Sequence, residues 1–215
     1  AQEGEHMRLL FADILPAVDH LPDAARLPLL DLALPQLKDL PAAQRRRILL
    51  NMKRLILTDG TVALSEFALY AVARRHLREH AARPVSVKHR SHTAVAGQIA
   101  LVLACLAHTG HEDPAAARRA YDTAARALDA ALPEPPAPGA CTGPALEKAL
   151  AEIAALPLMP KRRVIDACTR CVLADNSVTS PETELLRALC DVLDCPMPPL
   201  ISENGATIGA TASAA

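Results

Sequence analysis

Apolar residues recur every three or four positions along almost the whole chain, the spacing that places side chains on one face of a helix. The pattern predicts a short helix over Met7 to Val18, interrupted at Pro16, and a second over Asp23 to Lys38 that Pro28 and Pro35 should kink or split. A helix pair follows, Pro41 to Thr58 and Leu64 to His80, folded about Asp59-Gly60. Arg83 to Arg90 is a basic, poorly patterned linker. Ala94 to His108 is the most apolar stretch and so the predicted centre of the core. Another helix starts at Asp113 or Pro114 and runs to about Leu132, and Pro133 to Gly139 is a linker. Helices over Pro144 to Leu156, Pro160 to Ala174 and Ser180 to Leu193 complete the set. The small, polar residues from Ile201 to Ala215 predict a disordered tail.

The pattern repeats at an offset of 116 residues. Leu40 to Glu66 lies over Leu156 to Glu182 without a gap, sharing Leu-Pro, Arg-Arg, a later Arg, Leu, Asp, Val and Glu. Upstream, Pro28, Leu30, Ala33 and Leu34 face Pro144, Leu146, Ala149 and Leu150. Such a repeat decides the fold and tests every motif, because a residue carrying chemistry in one copy must account for its replacement in the other. The chain therefore reads as all-α, a helical array of about eight to nine helices containing two three-helix repeats. Residues 1–82 hold the N-terminal helices and the first repeat, and 83–139 the basic linker, two central helices and the Pro-rich linker. Residues 140–200 hold the second repeat and 201–215 the tail.

Composition agrees with helices. Hydrophobic residues make up 51% of the chain, yet it has no Trp, two Tyr and two Phe, so strand formers are scarce. A formal charge of -1 and the lack of aromatic stacking platforms exclude nucleic acid as a partner. The six Cys sit mostly in apolar helical contexts, which points to a reducing compartment. Gln98 to His108, the longest apolar run, is too short to span a bilayer. The opening residues are not a secretory signal, and without an initiator Met the chain reads as a piece of a longer protein.

The signature of the repeat is a corner, Asp59 to Glu66 in one copy and Asp175 to Glu182 in the other. Gly60 and Asn176 tolerate the positive φ that ends a helix. Thr179 with Glu182 forms a capping box, and Pro181 fits the first turn. In the first copy the cap position is Ala63, so that box is half broken. The chemical alternative is a divalent cation held by Asp59 and Glu66, or by Asp175 and Glu182, although neither loop supplies the alternating oxygens of an EF-hand. Cys168 and Cys171 form a Cys-x-x-Cys that could bind zinc, but Met52 and Leu55 replace them in the first copy, which favours core packing. His76-Leu-Arg-Glu-His80 has the inverted zinc-helix order, so a small zinc hydrolase using His76, Glu79 and His80 is a further reading; Val192 stands opposite His76. Arg45, Arg46 and Arg47, with Arg54 further along, are echoed by Lys161, Arg162 and Arg163 with Arg170, and both clusters sit near the starts of the middle helices, where the helix dipole disfavours cations. They are either a solvated face or a surface for an anionic partner, such as a protein or anionic lipid headgroups.

Leu173-Ala-Asp-Asn-Ser-Val-Thr-Ser-Pro-Glu-Thr-Glu-Leu-Leu186 resembles the TerB-like family of helical domains, whose hallmark is a helix, an Ala-Asp-Gly-x-Val corner and a helix opening with Glu. Arg187 to Leu200, ending Asp-Cys-Pro-Met-Pro-Pro-Leu, is similar to the C-terminal appendage of bacterial HtpX/CAAX-type membrane zinc metallopeptidases. The resemblance covers the second copy and reaches the first through the repeat. It implies a cytoplasmic accessory module at the inner face of the bacterial membrane. That module would be non-catalytic and would dock partners, substrates or the membrane domain of the same polypeptide. Zinc would belong to the catalytic part, since His-Glu-x-x-His is absent from this chain. It also implies a second reading, a metal-binding stress-response protein of the tellurite-resistance type using the corner carboxylates.

Overall fold

The computed structural model describes residues 2–22, 25–56, 63–78, 86–128 and 130–200, with side chains from residue 8 onward. Among the described residues are nine α-helices and no strand. In chain order these are α1 (Gln2–Asp19), α2 (Arg26–Asp39), α3 (Ala42–Ile56), α4 (Leu64–Leu77), α5 (Ala96–Gly110), α6 (Pro114–Ala125), α7 (Gly143–Ile153), α8 (Leu158–Val172) and α9 (Ser180–Leu193). The all-α array is thus as the periodicity predicts. The repeat is structural as well as sequential: α3 and α8, and likewise α4 and α9, start and stop at positions 116 residues apart.

The prolines depart from expectation. Pro16 does not interrupt α1, and Pro35 does not split α2. Pro28 falls in the first turn of α2, where its missing N–H removes no helical bond. Packing of α2 against α4 stabilises the continuous helix despite the bond lost at Pro35.

The core centres on α5. Every residue from Val102 to Ala107 is buried, and α6, α7, α8 and α9 pack around it. A short 3₁₀ turn, His92–Val95, leads into α5. The combined segment His92–Gly110 is by length and composition apolar enough to cross a membrane, longer than the run visible in sequence. Here its apolar side chains form the protein's own core. A second cluster joins Leu27 and Leu34 of α2 to Ala68, Val72, Ala73 and Leu77 of α4.

The two copies meet where α4 packs along α9, and the small Ala188 of α9 enters the second cluster there. Ion pairs tie each third helix to the other copy's first helix: Arg74 of α4 to Glu147 of α7, and Arg187 of α9 to Asp31 of α2. His76 Nε2 lies 3.0 Å from Asp191 across the same seam.

The copies differ in what covers them. In α8, Val164, Ile165, Cys168, Cys171 and Val172 are buried because α5 and α6 lie against it. In α3 no residue is buried, and its packing neighbour is α4. Leu55 is 72% exposed, whereas Cys171, its counterpart, is 1% exposed. Among the described residues no helix packs extensively on α1, where Leu10, Phe11 and Ile14 are exposed.

Candidate docking groove and corner site

The second corner is built by capping. Asn176 takes φ 59°, the left-handed value predicted for the turn. Thr179 N donates to Glu182 Oε2 at 2.8 Å and Thr179 Oγ1 donates to the same oxygen at 2.7 Å. Glu182 is 2% exposed, and burial raises its carboxyl above the ordinary range. Its side chain lies against Gly110, the last residue of α5. Asp175 Oδ1 accepts from Ser177 N at 2.9 Å, and Asp175 Oδ2 lies 3.3 Å from Nε2 of the next residue along, His111. The His111 ring is almost fully enclosed, with Nδ1 3.1 Å from Ala107 O.

The four carboxylates named as a cation site stand as follows. Asp59 lies outside the described residues. Glu66 accepts from Ala63 N at 3.1 Å, the surviving half of the first capping box. Asp175 and Glu182 serve the turn and the cap just described. Among the described residues no group of three or more His, Cys, Asp or Glu side chains is arranged to hold a metal ion. Of the zinc-order triplet, His76 faces Asp191, while Glu79 and His80 lie outside the described residues.

Cys168, Cys171 and Cys190 are buried with raised thiol values, through burial first. Their packing matches the core role that the repeat assigns to Cys168 and Cys171. Cys141 is half-buried, and the neighbouring Cys105 thiol lowers it.

The basic residues divide. Arg45 donates from Nη1 to Lys38 O at 2.7 Å and to Leu40 O at 3.0 Å, covering carbonyls at the end of α2 where a cation is favoured. Arg47, Arg54, Arg162, Arg163 and Arg170 are on the exposed surface. Arg46 and Lys161 line a groove of about 1010 Å³ between the copies.

That groove runs between α3 and α4 on one side and α7, the start of α8 and the end of α9 on the other. Phe67, Tyr70, Ala71, Leu150, Leu156 and Leu193 give it apolar walls, and Leu50, 57% exposed, stands at its edge. Its acids, Glu147 and Asp194, are already engaged by Arg74 and by Arg75, the latter at 3.1 Å. Lys53, Arg78 and Lys161 add positive charge and have no ion pair among the described residues. The groove therefore joins an apolar surface to a surplus of cations. Sequence reading finds the basic rim but misses Phe67 and Tyr70, because their approach to α7 and α9 depends on how the copies pack. Gly110 and His111 escape it for the same reason; they meet the corner only in the folded chain.

Comparison with protein-family models, curated proteins and solved structures gave no match for this chain.

Proposed function

We propose that this chain is a non-catalytic helical docking module whose groove binds an acidic amphipathic helix. The single observation that carries this reading is the groove between the copies, with apolar walls and the cations Lys53, Arg78 and Lys161, which have no ion pair among the described residues. An amphipathic helix supplies what such a groove lacks, an apolar stripe for the walls and carboxylates for the rim. The TerB-like resemblance is compatible with this role. The metallopeptidase resemblance adds that such a helix could be supplied by a membrane protease of which this chain is an accessory part.

The test is titration of the chain into a fluorescently labelled, designed acidic amphipathic peptide, with a basic peptide of equal hydrophobicity as control. Saturable binding of the acidic peptide is expected, weakened by salt and by the double substitution Lys53→Glu, Lys161→Glu. Equal binding of both peptides, or no binding by the chain in its monomeric form, overturns the reading. So does binding to anionic lipid vesicles without any preference for the acidic peptide.

A further inference from the structure

We infer that α1 of a second copy of this chain is the helix that the groove receives, so that two copies exchange their N-terminal helices. The inference rests on the docking reading above and names its partner.

Three observations on α1 support it. Leu10, Phe11, Ile14 and Leu15 fall at helical spacing on one face and are 41%, 65%, 56% and 39% exposed. An isolated amphipathic helix in water is marginal, and most helical stability comes from packing of its apolar face. Among the described residues no other helix of the same chain packs extensively on that face. Finally, α1 carries Glu3, Glu5, Asp13 and Asp19 against a single Arg8, whereas α3 carries Arg45, Arg46, Arg47, Lys53 and Arg54 and no acid. The sign of α1 complements the rim of the groove.

The repeat supplies an independent reason. The helix that precedes the second copy in the chain is α6, and α6 packs on α8. The helix preceding the first copy is α1, and α3, the counterpart of α8, has no residue buried. Each copy thus has a helix ahead of it, but only the second uses its own. Among the described residues of a single chain, no helix packs extensively on the apolar stripe and none fills the groove. Two chains related by a two-fold axis close both, because each gives the other the same helix.

Sedimentation equilibrium of the full chain over a wide concentration range tests this. The expected mass is that of two chains, falling to one chain on Phe11→Glu with Ile14→Glu, and separately on Lys53→Glu with Lys161→Glu. These variants should still unfold cooperatively, since Phe11, Ile14 and Lys53 are exposed, but should lose the helical ellipticity of an undocked α1 and the concentration-dependent part of the melting midpoint. Mixing Asp13→Lys chains with Lys53→Glu chains should yield a mixed dimer more readily than either forms alone. A chain that stays monomeric at every concentration overturns the inference, as does a dimer indifferent to both pairs of substitutions. Repeating the peptide titration on the Phe11→Glu, Ile14→Glu chain separates the failures. Binding there beside a monomeric wild type retires α1 as the helix, and absence of binding retires the docking reading with it.

Discussion

Replacing Gly110 by Ala tests the most constrained contact in the molecule. Gly110 ends α5, and its φ is not in the left-handed region, so the backbone accepts Ala. On propensity alone the change should stabilise a helix by about 0.5–1 kcal/mol. Packing reverses the sign. A Cβ at Gly110 would sit inside the van der Waals envelope of Glu182 Oε1 and Cδ, and 3.0 Å from Cγ. Glu182 would have to leave Oγ1 and N of Thr179, the two donors that close the capping box. Losing a cap costs about 1 kcal/mol, and a hydrogen bond to a charged group is worth roughly 1.5–3 kcal/mol. After the propensity gain is subtracted, Gly110→Ala should destabilise by about 1–3 kcal/mol, with the melting midpoint falling about 2–4 °C per kcal/mol. Chemical denaturation of four chains completes the measurement: wild type, Gly110→Ala, Glu182→Ala and the double variant. With the carboxylate gone, Gly110→Ala should be neutral or stabilising, giving a coupling of roughly 1 kcal/mol or more. Additive effects, or a Gly110→Ala chain as stable as wild type, would refute the account of this corner.

Other substitutions read other parts of the fold. Leu103→Ala, in the fully buried centre of α5, should cost about 2–5 kcal/mol in denaturant unfolding, whereas Leu55→Ala, on the bare face of α3, should fall within about 0.5 kcal/mol of wild type under dimer-free conditions. In a thiol-labelling time course near neutral pH, one fast phase is expected. It should vanish in Cys141→Ser, because Cys141 is the accessible thiol and its value is lowered, while burial raises Cys168, Cys171 and Cys190. Glu182 binds its proton more tightly folded than unfolded, so its contribution to stability is full below the unfolded carboxyl value near 4.5 and is lost as pH rises through its raised folded value. Glu182→Gln should flatten that part of the stability–pH curve, with His111 and Asp175, the titratable groups facing it, unchanged.

Local features of this fold are legible in sequence, and contacts between distant segments are not. Helix identity follows from apolar spacing, and the start of α9 is specified by Thr179, Pro181 and Glu182 within four residues. The left-handed turn at Asn176 is likewise a matter of one residue type. The continuity of α1 and α2 through Pro16 and Pro35 is not local in that sense. A proline's cost of about 3 kcal/mol is weighed against the rest of the helix and its packing, and a sequence shows only the cost. The clash waiting at Gly110 is invisible for a related reason, since Gly110 and Glu182 are far apart in the chain and meet only when α5 docks on the corner.

The repeat sharpens the argument about Arg45 and Lys161. Equivalent by offset, they read as one recurring cationic surface, yet Arg45 turns onto the carbonyls of Lys38 and Leu40 while Lys161 faces the groove. Recurrence in sequence therefore preserves the helix and its register without preserving the partner of each side chain. The same logic applies to Leu55 and Cys171: one position, apolar in both copies, is covered in one and bare in the other. On the groove side of α3 it is Leu50 that stands exposed, and the stripe of α1 inferred above to dock there would cover it.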